Sequence, residues 1–84
     1  MNRILEREAL NPTVTRLKVE APLIARKAEP GQFVILRTDE DGERIPLTVA
    51  DFDREEGSVT VIFQVVGATT EKLNHLKPGD RLHD

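Results

Sequence analysis

Thr15, Leu17, Val19 and Ala21 alternate with Arg16, Lys18 and Glu20. A period of two places the first set on one side of an extended chain and the second on the other, which predicts a strand with one buried and one wet face. Residues 58–66 repeat the pattern, with Val59, Val61, Phe63 and Val65 on one face and Ser58, Thr60, Ile62 and Gln64 on the other. The run over residues 3–10 is less regular, but Asn11-Pro12-Thr13 is a strong turn former, so it is expected to pair with the strand at Thr15 as a hairpin. Pro30-Gly31 opens Gln32-Phe33-Val34-Ile35-Leu36, which is apolar on both faces and predicts a strand covered on both sides. The polar loop Asp39-Glu40-Asp41-Gly42 then turns the chain into an antiparallel strand over residues 44–52. Asp53-Arg54-Glu55-Glu56-Gly57 repeats that device.

Gly67-Ala68-Thr69-Thr70 leads into a short helix with Leu73 and Leu76 inward and Glu71 at the favourable end of the dipole; Lys77-Pro78-Gly79 ends it. A sixth strand begins at Asp80-Arg81-Leu82 and reads as cut short at Asp84. The elements predict an all-β fold: a small six-stranded antiparallel Greek-key barrel with one short helix before the last strand. Leu17, Val19, Ile35, Val61 and Phe63 are expected in its core. With 84 residues there is room for a single domain, 1–84, and no second core. An incomplete last strand leaves an open edge, so closure through a homodimer is expected.

Composition narrows the chemistry. The chain has no cysteine, which excludes disulfides, thiolate metal sites and cysteine nucleophiles from these residues, so redox work requires a cofactor. A net charge of -3 with dispersed cations gives no basic surface for nucleic acid, and a phosphate group needs a local site. No apolar run approaches the roughly 20 residues of a membrane span and no signal-peptide core follows Met1, so a soluble, cytoplasmic protein is expected. His75 and His83 lack the spaced partners of a metal site. No nucleophile and base, and no carboxylate pair, form a hydrolytic set. Neither catalytic residues nor a metal are therefore expected.

The run Arg44-Ile45-Pro46-Leu47-Thr48 resembles the flavin-binding strand of the ferredoxin-NADP reductase superfamily, whose usual form is Arg, any residue, Tyr, then Ser or Thr. Here the Arg lies one place further from the Thr, and Leu47 stands where an aromatic ring often stacks on the flavin. Both departures occur together in a narrower group that the chain resembles more. It comprises the flavin subunits of NADH-dependent ferredoxin:NADP oxidoreductases, also known as sulfide dehydrogenase subunits, and the electron-transfer subunits of dihydroorotate dehydrogenase. Pro30-Gly31-Gln32-Phe33, Phe63-Gln64-Val65-Val66-Gly67 and Leu76-Lys77-Pro78-Gly79-Asp80 extend the resemblance over nearly all of the chain. It implies a barrel that carries FAD, with a nucleotide domain for NAD(P)H and an iron–sulfur domain as its partners in the parent protein. Without them these residues are not expected to turn over as an enzyme.

The resemblance implies that Arg44 meets the FAD pyrophosphate, as a guanidinium offers paired donors to phosphate oxygens; the alternative is a surface ion pair with Asp41 or Glu43. Pro46, which lacks a backbone donor, is expected at a strand edge, where the backbone of Ile45 and Leu47 would face the isoalloxazine ring, or it simply marks an edge strand. Thr48 either brings its hydroxyl near flavin N5 or fills a strand position as a β-branched residue. Phe63, Gln64 and Val65 would contact the flavin and its ribityl chain, although periodicity alone assigns Phe63 and Val65 to the core. Gly67, Thr69 and Thr70 would offer backbone N–H groups to phosphate, or Thr69 or Thr70 caps the helix. The family often has glycine where Thr69 stands. A different function class stays open: an isolated or engineered barrel whose site is vestigial, serving as a structural or protein- or RNA-binding module.

Overall fold

The computed structural model describes residues 3–27, 29, 31–37 and 44–82. Its strands are β1 (Ile4–Asn11), β2 (Val14–Glu20), β3 (Phe33–Leu36), β4 (Ile45–Asp53) and β5 (Ser58–Gln64). Helix α1 (Pro22–Lys27) connects β2 to β3, and α2 (Ala68–Asn74) follows β5. One antiparallel sheet has the order β1-β2-β5-β4-β3. Strands β3, β4 and β5 follow one another as a meander while β2 lies beside β5, which is the Greek-key arrangement.

Alternation sets the faces. Leu17 and Val19 on β2, Val59, Val61 and Phe63 on β5, Ile45, Leu47 and Val49 on β4, and Val34 and Leu36 on β3 all turn inward and are buried. Ala21, Ala25 of α1, Leu73 of α2, Ile4 and Leu82 complete this core, with Leu76 packed at its margin. The β1–β2 hairpin turns at Asn11, whose side chain accepts a hydrogen bond of 2.9 Å from the Thr13 N–H, as in an Asx turn. On the outer face, Glu6 stands opposite Lys18 and Glu8 opposite Arg16. Arg16 bridges both carboxylates at 3.0 Å, and Lys18 lies 2.7 Å from Glu56. The hydrogen bond from Lys18 is the main cause that lowers the Glu56 pKa and raises that of Lys18.

Several expectations change. Among the described residues the sheet has five strands and is not closed, where six and a barrel were expected. In the place of the sixth strand, Arg81 forms a single antiparallel bridge to Arg3, supported by hydrogen bonds from the Ile4 N–H to the Asp80 carbonyl and from the Gly79 N–H to the Ile4 carbonyl, each 2.8 Å. His83 and Asp84, the rest of that expected strand, lie outside the described residues, as do Pro30 and the loop Asp39-Glu40-Asp41-Gly42. Among the described residues there are two helices, not one. The missed helix α1 does carry start and stop signals, with Pro22 in its first position and Arg26 and Lys27 in its last turn. Ile35 is 53% exposed and not a core residue: nothing among the described residues covers the outer face of β3 at that point. None of the described helices is long and apolar enough to cross a membrane.

Helix α2 is tied to the β1–β2 hairpin at its carboxyl end. The Asn74 side-chain oxygen accepts from the Thr15 hydroxyl at 2.6 Å and from the Arg7 guanidinium at 2.9 Å, and the Asn74 carbonyl accepts from Arg7 at 3.0 Å. Thr15 is only 2% exposed, so its hydroxyl has little water to replace that acceptor. Replacing Asn74 with Ala is expected to cost about 1–3 kcal/mol in urea unfolding, the penalty for orphaning a buried polar group; an unchanged midpoint would show that the tie is dispensable. Leu17→Ala is expected to cost about 2–5 kcal/mol because it opens a cavity in the sheet centre. Ile35→Ser should stay within about 0.5 kcal/mol, as for other exposed positions, and equal losses in the two melts would contradict the outward placement of Ile35.

Candidate functional site

The residues singled out in the sequence fall on two neighbouring strands and the turn that follows them. Arg44, just before β4, is exposed, as are Pro46 and Thr48 on the outer face of that strand, whereas Ile45 and Leu47 face inward and are buried. On β5, Gln64 is exposed, Phe63 is buried, and Val65 just beyond the strand packs against the core. The side chains of Ile45, Leu47 and Phe63 are thus core groups, and any contact they make with a ligand is through the backbone. Leu47 in particular is 6% exposed and cannot stack on a ring at the surface.

The register explains the proline. Residues Ile45 to Thr48 pair with Leu36 to Phe33 of β3, and the pairing of β4 with β5 begins only at Val49–Val61. The Val49 N–H donates to the Gln32 carbonyl at 2.7 Å. Antiparallel alternation then makes Leu47–Val34 and Ile45–Leu36 the hydrogen-bonded pairs, while the backbones of Pro46 and Thr48 point away from β3. Pro46 therefore stands where no β5 partner awaits a donor, so its missing N–H costs nothing. By the same geometry Ile45 and Leu47 are paired with Leu36 and Val34 of β3. Continuing the β4–β5 register past Val49–Val61 brings Thr48 opposite Ile62 and Pro46 opposite Gln64, on the two sides of the gap where the strands part.

The turn after β5 is built around Thr70. Its hydroxyl accepts from the Val66 and Gly67 N–H groups at 2.9 and 3.0 Å and donates to the Gly67 carbonyl at 3.0 Å. Gly67, not Thr69 or Thr70, is the N-cap of α2, and it is extended. The Val66 and Gly67 amides are consumed by this turn, so Gly67 and Thr70 shape the loop more than they offer donors. Thr69 is half-buried at the start of the helix.

Charge is unevenly placed. Arg16 and Lys18 on the outer face of β2 are neutralised by Glu6, Glu8 and Glu56, whereas Arg44 forms no ion pair among the described residues. Asp41 and Glu43, the acids expected as its alternative partners, lie outside those residues. Beside the outward strip of β4 is an apolar groove of about 460 Å³ between α1 and β3, lined by Leu23, Lys27, Phe33 and Ile35 among others. The second apolar face of β3 predicted cover, whereas Phe33 and Ile35 are exposed there. The double-sided apolar run was itself the available signal.

No protein-family model matches the chain. Among curated proteins it is 45% identical over 84 residues to an uncharacterised protein in the adh 3′ region of Clostridium beijerinckii, covering 28% of that protein. It is 42% identical over 84 residues to the dihydroorotate dehydrogenase B (NAD(+)) electron transfer subunit homolog of Thermotoga maritima, covering 30% of it. With the corresponding electron transfer subunit of Desulforamulus reducens it shares 40% identity over 75 residues, which are 86% of this chain and 29% of that one. The chain thus spans less than a third of the length of these relatives. A solved structure of NADH-dependent reduced ferredoxin-NADP oxidoreductase, described for flavin-based electron bifurcation, superposes on all of the chain with a TM-score of 0.96 at 42% identity, and the chain covers 30% of it. The superposition extends over the whole chain. The chain belongs to the ferredoxin-NADP reductase-like flavin domains, among the homologues of dihydroorotate dehydrogenase electron-transfer subunits.

Proposed function

We propose that this domain binds FAD on the outer face of β4 and serves as the flavin module of an NAD(P)H-dependent electron-transfer oxidoreductase. The observation that carries this reading is the strip Arg44-Pro46-Thr48, exposed beside a gap between two strands and holding a cation that no described carboxylate neutralises. The residues fit the group. A guanidinium that no described carboxylate neutralises suits a pyrophosphate, an open strand edge suits the polar rim of an isoalloxazine, and the apolar face of β3 suits its ring. When bound, FAD supplies the chemistry that accepts a hydride and releases electrons singly.

The chain's own residues bind and orient. Arg44 meets the pyrophosphate, and the Thr48 hydroxyl lies on the face where N5 would stand and donates or accepts a hydrogen bond there. Gln64 reaches across the gap toward the ribityl chain, with Val65 behind it. The turn from Gly67 to Thr70 fixes where the chain leaves β5, and Thr69 meets the phosphates from the start of α2. No residue here acts as acid, base or nucleophile, so turnover depends on NAD(P)H-binding and iron–sulfur domains of the parent protein. The alternative of an RNA-binding barrel draws no support from the surface, because the cations on β2 are already paired with carboxylates.

Arg44→Ala is expected to weaken FAD about ten- to a hundredfold, equivalent to about 1.5–3 kcal/mol for a lost charge-assisted contact, in titrations followed by visible absorbance. Riboflavin, which lacks the pyrophosphate, should lose little. Equal losses for both flavins would remove Arg44 from the phosphate role.

A further inference from the structure

We propose that Phe33 is the aromatic residue that packs against the flavin ring in this domain, an inference that rests on the flavin reading above. Leu47, at the position where a stacking ring would stand, is buried in the core and has no ring to offer. Phe33 is 68% exposed, whereas Phe63 is buried and Phe52 lies beneath the Arg54 guanidinium. Among the described residues it is therefore the phenylalanine that is most exposed, and the chain contains no Tyr or Trp.

Register brings it to the site. Phe33 is the direct cross-strand partner of Thr48, and Ile35 that of Pro46, all four side chains lying on the outer face. Both are non-hydrogen-bonded pairs by the alternation derived above, the kind in which opposing side chains approach most closely. A planar ring laid across Phe33, Thr48, Pro46 and Ile35 covers the apolar patch and keeps its polar rim over the gap between β4 and β5. The groove beside α1 continues the patch through Leu23, which is 64% exposed. Three large apolar side chains left exposed side by side call for an occupant. The ring is the occupant that shares a border with Thr48.

The test uses the chain with riboflavin and FAD as probes. Phe33→Ala is expected to weaken both flavins by the same factor, roughly tenfold, because the contact is to the ring they share. This pattern is the opposite of that for Arg44→Ala. Phe33→Trp should keep the affinity and quench the fluorescence of bound riboflavin, since an electron-rich indole then lies against a ring that has no Tyr or Trp near it in the native chain. Thermal melting of both variants should match the native chain, as Phe33 is outside the core. Unchanged affinity in Phe33→Ala, or unquenched riboflavin in Phe33→Trp, overturns the inference while leaving the flavin reading intact. A native chain that binds neither flavin overturns both.

Discussion

Seven consecutive pairs, from Val14–Gln64 to Glu20–Ser58, join β2 to β5 without a break in register. Leu17, Val19, Val59 and Val61 meet in the middle of this ladder and are at most 1% exposed. A slip of one residue would turn these side chains to water and bring Arg16 and Lys18 into the core, so burial holds the register. The pairing also dictates the path of the chain. Because β5 must return to β2 after β3 and β4 have formed, the connection from β2 has to travel past two strand positions, and α1 bridges that distance with Ala25 buried against the sheet.

The outer face of this sheet divides into two regions of different chemistry. Toward β1, carboxylates and cations alternate across strands and satisfy one another, which leaves a polar, self-neutralised surface. Toward β3, the cross-strand pairs are Phe33–Thr48 and Ile35–Pro46, and the cation Arg44 has no described acid beside it. The division follows from β4 leaving β5 beyond Val49–Val61. A strand paired on both sides would have rejected Pro46, and with it the open edge on which the proposed flavin site depends.

Helix α2 is held at both ends, which gives the turn before it a fixed shape. Thr70 closes the turn from Val66 to Gly67, and Asn74 ties the last turn to Thr15 and Arg7. These contacts link the far end of β5 to the β1–β2 hairpin. Groups placed on tied elements keep their geometry when a ligand arrives, which suits a domain whose work is to orient a cofactor.

Alternation alone identified β2 and β5 and their buried faces, because a period of two with one apolar face allows only one burial pattern. The Arg44-to-Thr48 run and the spaced motifs around it identified the family by residue type and order, neither of which needs a fold. What alternation lacks is knowledge of neighbours. In Phe33-Val34-Ile35-Leu36 both faces are apolar, so the pattern could not say which face stays open, and Ile35 was assigned to the core although it is half exposed. Helix α1 is six residues long, less than two turns, too short for a period to stand out despite Pro22 at its start. The pairing of Phe33 with Thr48, the inward turn of Leu47 and the tie from Asn74 to Thr15 all join residues distant in the chain. They were decided by the tertiary structure, because cross-strand register and helix docking are fixed by which apolar faces can be buried together, and no local stretch of sequence contains both partners.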